Sequence, residues 1–285
     1  MDDAGAPEAL YVPDGDRFLP TVLTRGPWDA EAQHGGAPSA LLTRAVEAVE
    51  APGPMAVARL TVELLKPVPL RPLSVVAEVR RPGRKVQLVE ATLFDGDVAV
   101  ARLTALRLRV EPAVLPSAVA AEHDPPPEGP DAGRRQRWEG MDELSGFVAT
   151  ANDLRFVAGG IDRPGAATAW VRLRVPVVAG EEPSPAMRAA AAADFGNGFS
   201  WVLPVEQWRF LNPDLTVHLA RPPEGEWVCL QSRTFATEDG VGMAESALYD
   251  RRGRVGRSVQ SLLLEPVDRP SYGVPPRPAT PAAST

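Results

Sequence analysis

The chain is short of the residues from which many enzyme sites are built. Its 285 residues hold one cysteine, Cys229, and three histidines, His34, His123 and His218. A lone cysteine excludes an internal disulfide framework and fits a reducing cytoplasm, the expected location. Three scattered histidines give no metal-ligand spacing, so neither a metal nor a cofactor is expected. No apolar run reaches the ~18 residues of a membrane span, and the acidic opening MDDAGAPEAL lacks the apolar stretch of a signal peptide. Ser39 and Ser200 lie outside any G-x-S-x-G elbow. With 30 Lys and Arg against 37 Asp and Glu, the net charge is −7. That balance argues against nucleic acid or an anionic membrane surface as the main partner.

What is present is enough apolar residue for a core, 44%, and a repeat. An offset of 155 carries Leu60, Thr61, Val62 and Leu64 onto Leu215, Thr216, Val217 and Leu219. It carries Leu93-Phe94-Asp95 onto Leu248-Tyr249-Asp250, and Arg102 onto Arg257. A register held through turns as well as strands points to duplication, and so to two similar halves.

Strands are expected at Leu10–Val12 and Phe18–Thr24. A helix over Pro38–Val49 follows, with Pro38 in its first turn and Pro52-Gly53-Pro54 as its stop. Four strands come next, Met55–Leu65, Leu73–Arg81, Lys85–Asp95 and Val98–Val110. Residues 111–135 carry six prolines and read as a linker crossing the surface. Trp138–Thr150 is ambiguous between helix and strand. In the second half, Leu154–Val157 and Ala167–Val178 read as strands. Ser184 and Pro185 open a helix over Ala186–Asp194, which Gly196 and Gly198 end. A loop over 199–213 leads to four strands, Asp214–Ala220, Trp227–Thr237, Val241–Tyr249 and Arg254–Leu264. Residues 267–285 read as a disordered tail.

Each half is thus a helix followed by a four-strand antiparallel meander, an α+β class. A sheet wrapped around one apolar helix is the hotdog arrangement. Two in tandem resemble a double hotdog, here an N-terminal unit over 10–110 and a C-terminal unit over 136–266. Trp28-x5-His34-Gly35-Gly36, RLTVELLKPVP, LTVHLARPP, GEWVCLQSRTF, ALYDRRGRV and RSVQSLLLEP together resemble the acyl-CoA thioesterase II (TesB-like) family. The resemblance implies hydrolysis of an acyl-CoA to free acid and CoA with no covalent intermediate, by a water held on an Asp, a Ser or Thr, and a Gln. Carried over, these are Asp214, seven residues before Arg221; Thr234, seven residues after Trp227, with Ser232 as the alternative hydroxyl; and Gln260 in SVQSLLL.

The residue types suit the chemistry. A carboxylate can hold a water and take its proton, and an amide offers a donor and an acceptor to orient it. His34-Gly35-Gly36 stands before the first helix, where backbone N–H groups favour an oxyanion and glycine lets a carbonyl come close. These three residues are expected to bind substrate and to meet the Asp214, Thr234 and Gln260 set of the other half. The offset puts Arg59, Val79 and Ala105 at the corresponding places in the first half, so one site per chain is expected. A non-catalytic acyl-thioester binding protein and a hotdog hydratase or dehydratase stay open as alternatives, as does an acyl-carrier thioester as substrate. Arg251, Arg252, Arg254 and Arg257 are either nucleotide-phosphate contacts or a solvated turn. The chain is a monomer or a homodimer on this reading. Asp194-Phe195-Gly196 is read only as the end of the second helix.

Overall fold

The alternating segments build a 13-stranded antiparallel sheet among the residues described by the computed structural model, which are 8–114, 116, 124–136 and 146–267. The first half contributes β1 (Tyr11–Asp14), β2 (Arg17–Pro20), β3 (Met55–Leu64), β4 (Leu73–Arg81), β5 (Val86–Asp95) and β6 (Val98–Arg109). The second contributes β7 (Asn152–Ala158), β8 (Ala167–Leu173), β9 (Trp208–Leu211), β10 (Asp214–Leu219), β11 (Trp227–Ala236), β12 (Val241–Asp250) and β13 (Gly253–Pro266). Their spatial order is β1-β2-β4-β5-β6-β3-β10-β13-β12-β11-β8-β7, with β9 on β13.

The 155-residue offset survives in three dimensions. It maps β5 onto β12 residue for residue, and it maps the bulge at Leu93/Phe94 onto the bulge at Leu248/Tyr249. The halves join where β3 pairs with β10, and there Thr61 faces Thr216, its own counterpart. The local axis relating the copies passes through that pair.

The four strands of each half are not a simple meander. β3 pairs with β6 and not with β4, and β10 pairs with β13 and not with β11. Pro67, Pro69 and Pro72, and then Pro222 and Pro223, lie in the connections that follow β3 and β10. Proline removes ladder donors there and prevents a tight hairpin. The consequence is central: β3 and β10 become inner strands that can join.

Helix α1 (Gly36–Ala48) begins two residues before the expected Pro38, and helix α2 (Pro185–Ala193) has Ser184 as its N-cap, accepting from Met187 N–H. The pair is antiparallel. Gly36, at the start of α1, lies against Ala191, near the end of α2. At the other end Ser184 donates to Glu47 Oε2 at 2.6 Å. Leu41, Leu42 and Val46 of α1 are fully buried, each burial worth about 1.5–3 kcal/mol. Buried Arg107 donates to the Val46 and Val49 carbonyls at 3.1 and 2.8 Å, meeting the unpaired carbonyls and the negative end of α1 with a cation.

Four expected boundaries differ by more than a residue or two. The strand expected over Ala167–Val178 ends at Leu173, shortly before Pro176, which has no ladder donor. Gly196 and Gly198 do not end the second helical segment; Gly196–Phe199 forms a further turn, α3, because neither glycine takes the left-handed backbone that stops a helix. The loop over 199–213 contains β9, which caps the long β13. Phe18–Thr24 divides into β2 and a 3-10 turn over Val22–Thr24, since Pro20 removes the donor that a continuing strand needs. Most of the Trp138–Thr150 segment and nearly all of the expected tail lie outside the described residues.

Candidate active site

Alanine makes α2 narrow enough to lie deep between the sheet and α1. Ala189 to Ala193 are all buried, and Asp194, the C-cap, is carried in with them at 8% exposure. A carboxylate taken out of water needs partners, and Asp194 has three polar side chains in contact. Asn212 Nδ2 donates to its Oδ1 at 2.8 Å. Gln260 Nε2 donates to the same oxygen at 3.1 Å. His34 Nδ1 lies 3.0 Å from Oδ2.

Gln260 stands on the inner face of β13 and is 1% exposed. Its Oε1 accepts Asn197 N–H, from α3, at 3.0 Å. The amide is thereby turned so that its N–H side meets Asp194. Gly196 allows this: a Cβ there would stand 2.8 Å from Ser246 Oγ and 3.1 Å from Gln260 Oε1. Gly35 serves the other side in the same way, since a Cβ on it would lie 2.8 Å from Asp194 Oδ2. The first half therefore reaches the carboxylate with the backbone start of α1 and with His34, whose ring packs against both Phe147 and Phe195 at centroid distances of 4.7 and 4.9 Å, the two phenylalanines also touching each other.

The residues expected from the sequence do not converge. Asp214 shares the outer face of the sheet with Thr216 and His218, while its neighbours Leu215 and Val217 point inward; strand alternation therefore puts it across the sheet from Gln260. Its Oδ1 accepts Ser261 N–H at 2.7 Å. Thr234 does face inward, but Ala244 of β12 stands between it and Gln260 in one cross-strand row, about 9.5 Å across two strand spacings. Its hydroxyl is 2.8 Å from Ser200 Oγ. Ser232 pairs with Ser246 at the same distance. Of the expected set, Gln260 meets the His34-Gly35-Gly36 turn, through Asp194.

Sequence reasoning missed Asp194 and Asn212. The signal for Asp194 was its place as a carboxylate on an alanine-rich helix too apolar to be exposed. Asn212 is masked by the loop-like Asn-Pro-Asp in which it stands.

The copies differ in polarity along these rows. Thr234–Ala244–Gln260 and Ser232–Ser246–Ser258 correspond to Val79–Val89–Ala105 and Ala77–Ala91–Leu103 in the first half. At these positions the polar lining beneath the second helical segment is replaced by apolar side chains under α1. Burial pushes the Cys229 thiol well above its ordinary range, which leaves little thiolate for nucleophilic chemistry.

Family models of the acyl-CoA thioesterase N-terminal and C-terminal domains match residues 24–108 and 118–264. Among solved structures, the chain is similar to a conserved protein of unknown function with a hot dog fold from Alicyclobacillus acidocaldarius, at 16% identity and TM-score 0.70, covering 90% of this chain and 97% of that one. It is similar to the acyl-CoA thioesterase II TesB2 of Mycobacterium marinum, at 16% identity and TM-score 0.62 over 89% and 94% of the two chains. A tesB protein of Mycobacterium avium subs paratuberculosis matches at 15% identity and TM-score 0.59 over 88% and 93%. Comparison with curated proteins found no match.

Proposed function

The chain belongs to the acyl-CoA thioesterase family, and from that membership we propose that it hydrolyses an acyl-CoA at Asp194 by direct attack of water. On this reading the fold is a double hotdog, with units over 10–110 and 136–266 that share one site. Asp194 takes the place expected for Asp214, and Asn212 takes that of the hydroxyl residue. Gln260 keeps its expected place.

The observation that carries the reading is the division of labour on one carboxylate. Two amide donors occupy Oδ1 and fix its plane. Oδ2 is turned toward the start of α1, where a thioester carbonyl finds the positive end of the helix dipole. A water bound at Oδ2 attacks the carbonyl carbon and gives its proton to that oxygen. The tetrahedral intermediate collapses with cleavage of the C–S bond, and the departing CoA thiolate recovers the proton from Asp194. General base catalysis of this kind contributes about 10²–10⁴-fold.

A chain-length series of acyl-CoAs incubated with a thiol reagent tests it. CoA release that Asp194→Asn abolishes and Asp214→Asn preserves supports the reading. The reverse pattern overturns it.

A second reading has one specific observation in its favour. A hydratase uses a paired Asp and His, and His34 and Asp194 form such a contact across the halves. Hydration of an enoyl-CoA, followed as loss of its conjugated absorbance without CoA release, would select that reading.

A further inference from the structure

Nδ1 of His34 has two neighbours and one bonding position. Gly36 N–H points at it from 3.1 Å, and Asp194 Oδ2 lies 3.0 Å away. An imidazole nitrogen either accepts through its lone pair or donates a proton. In any one state, then, only one of these two contacts is a hydrogen bond. The ring packs against Phe147 and Phe195, and the His34 main-chain N–H donates to the Thr24 carbonyl at 2.9 Å. Asp194 is held just as firmly through Oδ1. Exchange between the two bonding patterns needs a proton and no movement of either side chain.

We propose that His34 is a positioning residue whose protonation decides whether Asp194 Oδ2 is available as a base. With the ring neutral, Nδ1 accepts Gly36 N–H, and Oδ2 is left to receive the proton of the attacking water. With the ring protonated, Nδ1–H donates to Oδ2, which is then occupied, and the Gly36 N–H loses its acceptor. A residue of the first copy thus controls the carboxylate of the second. This rests on Asp194 acting as the base. Among the described residues, Asp194 is the charged side chain that forms an ion-pair contact with the ring; Phe147, Phe195 and the Gly36 N–H also meet it, and Arg25 follows Thr24 on the adjoining turn. Protonation of the ring therefore gives turnover an acid limb.

His34→Asn tests the switch, because its amide oxygen can take the Gly36 N–H and does not titrate. In the unaltered chain kcat/KM for an acyl-CoA should fall on acidification with the limiting slope of one titrating group, about tenfold per pH unit. In the variant, whatever its absolute rate, the fall over the same pH unit should be under about threefold. An equal acid limb in both overturns the proposal. Nitrogen-15 NMR of His34 in the full chain gives a readout independent of turnover. A neutral ring protonated on Nε2, with a lone pair on Nδ1, is expected; a neutral ring protonated on Nδ1 overturns the switch. If Asp194→Asn keeps full turnover, the base assignment fails, and the NMR result still decides the state of His34.

Discussion

Asn212 Nδ2 donates to Asp194 Oδ1 at 2.8 Å, joining the residue before Pro213 to the end of a helix 18 positions earlier. Asn212 and Asp214 are two residues apart in sequence, yet Asn212 bonds the carboxylate at the site while Asp214 bonds Ser261 on the outer face. Asp194→Asn should lower kcat by about 10²–10⁴-fold with the far-ultraviolet circular dichroism unchanged. Asp214→Asn should stay within about threefold of the parent, since the amide oxygen of asparagine can still accept Ser261 N–H on the outer face. Steady-state CoA release measures both.

Gln260→Ala removes the donor that fixes Asp194 and leaves the buried Asn197 N–H without its acceptor. Stability should drop by about 1–3 kcal/mol from the unsatisfied donor alone. Turnover should fall further than stability predicts. Urea denaturation beside single-turnover rates separates the two effects.

Gly36→Ala places a Cβ 2.6 Å from the Ala191 carbonyl oxygen and 2.9 Å from the Phe147 ring. Backbone cannot give way as a side-chain tip can, so α1 and α2 must separate. A loss of about 1–3 kcal/mol is expected, read from the urea midpoint. The same change at Gly53, which has open space around it, should move that midpoint very little.

Asp250 closes the β12–β13 turn and is fully buried. Burial alone pulls its carboxyl upward, but the paired Arg221 guanidinium and the N–H groups of Glu224 and Arg252 outweigh it and hold the group below the usual carboxylate range. A depressed carboxyl stabilises the fold fully above its unfolded value, about 3.9. That contribution disappears as pH falls through the folded value. Asp250→Asn should therefore cost about 3 kcal/mol at neutral pH, the low end for breaking a buried pair because Arg221 keeps access to water. The gap between variant and parent should close below about pH 4. Denaturant titrations across that range test the sign.

Cys229 is fully buried on β11 beside Trp170 and Tyr249, and burial holds its thiol protonated. A disulfide reagent should leave it unmodified in the native chain and titrate one thiol after denaturation. Rapid labelling of the native chain would contradict the packing.

Strand periods, turn residues and the 155-residue repeat were legible because they are local. Alternation reports which residues share a face, proline and glycine report where strands stop, and duplication shows in the register. From these follow two similar halves, a helix before each set of strands, a polar second copy and an inward Gln260. The crossing connections, the joining of β3 to β10 and the depth of the alanine helix are products of packing, since each depends on which distant surface an element buries against. The site inherits that dependence. Asp194 became a candidate base only when the second helix laid it against Gln260, Asn212 and the His34 turn of the other copy. Asp214 lost the role because one step along a strand reverses the face on which a side chain stands.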